Sequence, residues 1–240
     1  HDYNQRWSQQ PLSYRVGLGK EIVFVPQKKL LAKYEHSIYE TGEIPTRENN
    51  WHDFFNFLVW TLMPNMKIAL NAAHVRYSGE SDRTTMQSTL AQFDETGMIV
   101  CAHQDYFLEL LWTHQWKELF IKYRDQLHRE LKFIIFGHGL LEKSLSPFLG
   151  MTGKSLLVKT NKEVFDLPVD VLRSQLDLQL AAKINTENFL QHPPQLAPLP
   201  MLGIPGWWSE NSHSSFYHNE DYFRPCRQYA LQNPIAFLSL

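Results

Sequence analysis

The chain has 240 residues, with 23 Lys+Arg, 25 Asp+Glu, 11 His, a formal net charge of −2 and 43% apolar residues. Ample aromatics and a low charge bias exclude a disordered chain, and a pI near 6.6 excludes the basic footprint of a dedicated nucleic-acid binder. No apolar run approaches the roughly 18 residues that read as a membrane span, and Cys101 and Cys226 are too few for a disulfide framework or a Cys-based zinc site. A reducing, cytoplasmic setting is therefore expected.

In chain order, residues 1–26 read as a polar N-terminal arm. The spacing of Leu30, Leu31, Tyr34, Ile38 and Tyr39 predicts a helix over 27–40, ended by Gly42 and Pro45. Segment 51–63 (WHDFFNFLVWTLM) predicts a helix apolar around most of its girth, with Asn50 as N-cap and Asp53 in a capping-box-like position. Pro64 stops it, and a further helix follows over 65–77. QSTLAQF at 87–93 then reads as a strand, Asp94-Glu95-Thr96-Gly97 as a turn and MIVCA at 98–102 as a buried strand, together a hairpin. A helical stretch over 105–128 is expected to break near Thr113.

LKFIIF at 131–136 is the clearest buried strand. Gly137-His138-Gly139 leads from it into a helix over 139–146, KSLLVKT at 154–160 gives another strand, and a long helix covers 168–184 from Pro168. The alternation implies βαβ crossovers in a small mixed sheet. The proline- and aromatic-rich residues 187–240 read as an extended strap without regular structure, docked through anchors such as Trp207 and Trp208. The expected fold is α+β, with one domain over 1–240, a body over 27–186 and the C-terminal strap.

Chemistry gathers at a few places. His138 sits where a strand ends and a helix begins, between glycines that allow close backbone approach. Glu142 lies one turn further on and Lys143 follows it. The alternative for this group is a histidine that satisfies its own turn beside a surface Glu-Lys pair. His52 and Asp53 open the apolar helix, but neighbouring helical residues do not face each other, so Asp53 reads as a cap and His52 as the candidate ligand or base. Asp94 and Glu95 supply oxygen ligands for a divalent ion or ordinary turn chemistry. Arg83, Lys67 and Lys143 are candidate anion-stabilising cations. His74 with His52 and His138, or His103 and Cys101 with His138, form two further candidate metal clusters. No Walker A loop, G-x-G-x-x-G or G-x-S-x-G is present.

Thr46-Arg47-Glu48-Asn49-Asn50-Trp51-His52-Asp53-Phe54-Phe55-Asn56 carries a resemblance to a known family, with Lys67, Asn71, Phe93-Asp94-Glu95 and Phe136-Gly137-His138. Leu141-Glu142-Lys143 and Leu199-Pro200 through Pro205-Gly206-Trp207-Trp208 extend it. Over about residues 45–225 the chain resembles the bacterial domain of unknown function 3025 family. The resemblance implies a single-domain bacterial protein and brings no activity, cofactor or catalytic residue with it.

Two functions follow from the residues. In the first, the chain is a small-molecule enzyme, hydrolytic or phosphoryl-directed, assisted by a divalent metal and acting on a small anionic ligand. His52, His138, Glu142, Lys143 and Arg83 are then the catalytic candidates, and Asp94, Glu95, His52 and His138 the metal ligands. In the second, the protein is a binding or scaffold protein whose same polar groups form a structural network.

Overall fold

The computed structural model describes residues 3–10, 13–27, 34–78, 85–186, 196–226 and 237–240. In chain order it contains helix α1 (Tyr3–Trp7) and strands β1 (Arg15–Val16), β2 (Lys20–Glu21) and β3 (Val23–Pro26). Helix α2 (Tyr34–Thr41), strand β4 (Glu43–Thr46) and helices α3 (Trp51–Leu62), α4 (Pro64–Arg76) and α5 (Thr85–Thr96) follow. Next come β5 (Gly97–Ala102), α6 (Asp105–Trp112), a π-helical turn at Glu118–Lys122, α7 (Leu127–Glu130), β6 (Leu131–Ile135) and α8 (His138–Lys143). The remaining elements are β7 (Thr152–Lys159), α9 (Val169–Ile184), β8 (Ala197–Pro200) and β9 (Leu238–Ser239). The architecture is α+β, and no helix among the described residues is long and apolar enough to cross a membrane.

The chain divides into two compact units, residues 1–94 with 169–193 and residues 95–168 with 194–240. In the first, α3 begins as the sequence predicts: the Asn50 side chain accepts from the Asp53 amide at 3.0 Å. Pro64 stops α3 and also starts α4, where its missing N–H is no loss. The N-terminal turn of α4 is held by Asp177 of α9, whose carboxylate accepts from the amides of Asn65 (3.1 Å) and Met66 (2.8 Å). Trp7, Phe24, Ile38, Ile44, Phe57 and Trp60 form an apolar core. Against it, β3 pairs in parallel with β4, and the expected arm is thus partly regular structure.

The predicted strand over 87–93 is instead the middle of α5. Its buried residues, Met86, Thr89, Leu90 and Phe93, recur at helical rather than alternating spacing. The expected hairpin turn falls with it, because Asp94, Glu95 and Thr96 are the last turn of that helix and Gly97 already opens β5.

In the second unit β5 is the buried centre of a mixed sheet of order β6-β5-β7-β8, with β9 beside the end of β7. β5 is parallel to β7 and antiparallel to β6. The predicted strap is more regular than expected: Ala197–Pro200 is strand β8, and short 3-10 turns follow it. Its tyrosines act as bolts. Tyr222 donates to the Met151 carbonyl at 2.6 Å, and Tyr217 to the Gly203 carbonyl at 2.9 Å. Trp208 packs against the apolar core as an anchor does, whereas Trp207, 36% exposed, sits edge-on to Phe133 with ring centroids 6.4 Å apart.

Candidate functional site

In the second unit the register of β5 with β6 places His138. Met98 lies opposite Ile135, so the chain leaving β6 arrives beside the start of β5. There the amides of Phe136 (3.0 Å) and Gly137 (2.8 Å) both donate to the Gly97 carbonyl. His138, the first residue of α8, then meets Glu95, two residues before β5, with its Nε2 3.4 Å from Glu95 Oε1. The imidazole side chain is 6% exposed and the carboxylate 49%.

The glycines around His138 are there for space. A β-carbon at 137 would lie 2.5 Å from the Gly97 amide nitrogen and 2.6 Å from the Glu95 carbonyl oxygen; one at 139 would lie 2.4 Å from Glu95 Oε2. The Gly-His-Gly motif is therefore a socket for Glu95. Glu142 follows one turn later on α8, half-buried, and Lys143 is exposed at its end.

The same register corrects the cluster of Cys101 and His103 with His138. Ala102 pairs with Leu131, so Cys101 and His103 lie toward the opposite end of β5 from His138, about 13 and about 20 Å along the strand at about 3.3 Å per residue. His138 also follows the carboxyl end of an antiparallel strand, beside the amino ends of the parallel pair β5 and β7, rather than at a crossover crevice. His103 contacts Glu130 at 3.4 Å, with the Gln104 amide bonded to both partners at 3.3 and 3.0 Å. Burial pushes the Cys101 thiol up to about 12, which makes it an inert core residue.

In the first unit Lys67 and Asp94 meet as an ion pair at 2.6 Å, with side chains 6% and 17% exposed. The ammonium also lies over the Trp60 ring, 5.3 Å from its centroid. Asn71 donates to the Glu35 carbonyl (2.9 Å) and carboxylate (2.7 Å), and Asn56 donates to the Tyr34 hydroxyl at 3.2 Å. A cavity of about 10 Å³, room for one water, is lined by Lys67, Asn71, His74 and Asp94. Lys67 is thus an internal partner of Asp94, and His74 belongs to this cluster. Glu35, Tyr34 and Trp60 carried no signal in the sequence beyond helical spacing.

The Asp53 carboxylate, expected as a helix cap, clamps the preceding loop: it accepts from Arg47 through the backbone amide (2.6 Å), Nε (2.9 Å) and Nη2 (2.7 Å). Burial works to raise its pKa, but these bonds outweigh it and hold the carboxyl below its ordinary value. His52 lies half-buried in the first turn of α3. Arg83 lies outside the described residues.

The family model of DUF3025, described as a protein of unknown function, matches residues 22–227. The chain belongs to the DUF3025 family. No curated protein and no solved structure matches it. The stretch matched to DUF3025 takes in Asp53, Lys67, Asp94, Glu95 and the Gly-His-Gly socket.

Proposed function

We propose that this DUF3025 protein is a small-molecule enzyme, hydrolytic or phosphoryl-directed, in which Glu95 and His138 hold a divalent metal ion. The meeting of the buried His138 imidazole with the half-exposed Glu95 carboxylate in a socket of glycines carries this reading; the Nε2–Oε1 separation is 3.4 Å. It is longer than the 2.7–2.9 Å, or about that, of a charge-assisted hydrogen bond. It equals the spacing of two ligands on a tetrahedral centre with bonds of about 2.0–2.1 Å, which is about 3.4 Å. A buried imidazole beside a half-exposed carboxylate also suits a site fixed on one side and open on the other. A metal there supplies a Lewis acid and an activated water near neutral pH. Glu95 and His138 hold their positions through the glycine socket, and Glu142 is the nearest further acid along α8.

The test is the metal content of protein purified without a His tag and without chelator. Near-stoichiometric zinc or a similar ion, lost in His138→Ala and in Glu95→Gln, is the expected result. A metal-free parent that also fails to take up added zinc rejects the reading. His52→Ala is measured alongside, as the other histidine that the sequence assigns as a ligand.

A scaffold reading has one observation in its favour, in the first unit. The Lys67–Asp94 pair is nearly sealed and its cavity admits a single water, which suits a structural network rather than a substrate. We therefore assign Asp94 and Lys67 to the scaffold.

A further inference from the structure

The first unit contains a cleft of about 730 Å³, within the range of small-molecule sites. Phe24 and Phe57, both buried, line its closed side, with Tyr3 stacked on Phe57 at 4.6 Å between ring centroids. Trp51, the first residue of α3, also lines it and is 59% exposed, an indole presented to whatever enters. The local chain is built to hold it there: Asn49 takes a left-handed φ of 53°, and Asn50 caps the helix. The polar lining is mixed. Arg6, Glu48 and Asn49 have side chains with no hydrogen-bond or ion-pair partner among the described residues.

An aromatic platform, a free cation and a neighbouring acid and amide select different parts of one ligand. A planar ring stacks on Trp51, an acid group pairs with Arg6, and hydroxyls donate to Glu48 and bond Asn49, all of which line the one cleft. A simple hydrocarbon leaves the polar groups unused, and an inorganic anion leaves the platform unused. We propose that this cleft binds a planar aromatic ring joined through a hydroxylated linker to an acid group, the chemistry of a mononucleotide. The site lies within the first unit and does not rest on the metal reading.

AMP, adenosine and inorganic phosphate are the probes, titrated calorimetrically with EDTA present so that metal plays no part. AMP is expected to bind one to one, with adenosine roughly tenfold weaker for want of the Arg6 pair. Arg6→Ala should bring AMP down to the affinity of adenosine and leave adenosine unchanged. Trp51→Ala should weaken both nucleosidic probes about tenfold, the scale of one lost stacking partner. Arg6 and Trp51 are exposed, and unchanged thermal unfolding of each variant establishes that it folds. Absence of AMP binding at millimolar concentration overturns the proposal, and so does AMP binding that both substitutions leave at the parental affinity. Phosphate binding as tightly as AMP also overturns it, because the ring then contributes nothing.

Discussion

Replacing Gly139 by alanine separates a metal-holding carboxylate from a merely structural one. The new β-carbon would fall 2.4 Å from Glu95 Oε2 and 3.1 Å from the Glu95 carbonyl oxygen, where ordinary contact begins at 3.4 Å. The carboxylate must retreat by about 1 Å, several times the roughly 0.2 Å that metal–ligand distances tolerate. Loss of that ligand should weaken metal binding by at least about 100-fold. The hardest clash is with the tip of a half-exposed side chain, and the Glu95 carbonyl has to give by only about 0.3 Å. Alanine inside a helix is also favoured over glycine by up to about 1 kcal/mol. Gly139→Ala should therefore leave the urea midpoint unchanged or slightly raised while its metal content falls close to zero. Gly137→Ala is the contrast, because its β-carbon meets backbone atoms of Gly97, Glu95 and Thr96 at 2.5–2.6 Å. It should cost about 1–3 kcal/mol of stability, the usual scale of overpacking. Elemental analysis and urea unfolding on the same preparations decide the matter. Full metal in Gly139→Ala refutes Glu95 as a ligand, and equal destabilisation of the two variants refutes the socket geometry.

Lys67→Met should destabilise the protein by about 3 kcal/mol, the lower end for stranding one member of a buried pair, since Asp94 retains 17% exposure. At roughly 2–4 °C per kcal/mol for a chain of this size, the melting temperature should fall by about 6–12 °C, and adding Asp94→Asn should recover part of it; a fall under 2 °C, or about that, contradicts the pairing. Asp53 sets a pH dependence. Its folded-state pKa lies below the unfolded value of about 3.9, so its contribution is present above that pH and is lost as pH falls through the lower folded value. Asp53→Asn should be less stable than the parent at pH 7, with the difference shrinking below about pH 4 in urea titrations; a gap that widens on acidification is inconsistent with the Arg47 clamp. Asn50→Ala should cost about 1 kcal/mol by the same unfolding assay, the usual value of one N-cap.

Local chemistry made much of the fold legible. Asn50 as a cap, Pro64 as both stop and start, and the apolar run of β5 each act within a few residues, and each holds in the structure; β6, expected as the clearest buried strand, is instead an edge strand only partly buried after Leu131. The stretch 87–97 reads as strand and turn in the sequence for an equally local reason. QSTLAQF is short enough to fit either period, and Asp-Glu-Thr-Gly has turn composition wherever it stands. Only the burial of Met86, Thr89, Leu90 and Phe93 on one face reveals the helix.

The site was legible by residue type and not by partnership. Asp94 and Glu95 look like a matched pair of oxygen ligands when they are placed on a turn. As consecutive residues of a helix they project about 100° apart, and each takes a different partner: Lys67 for Asp94 and His138 for Glu95. Those partners lie 27 and 43 residues away in the chain. The second is delivered by the antiparallel register of β5 with β6, which a parallel pairing would have carried to the other end of the strand. One long-range choice of strand direction thus decides two things together. It removes Cys101 and His103 from reach of His138, and it gives the Gly-His-Gly turn a carboxylate to enclose. Nothing within the motif itself distinguishes a socket from a flexible turn, because glycine serves both. The distinction lies in what a β-carbon there would strike.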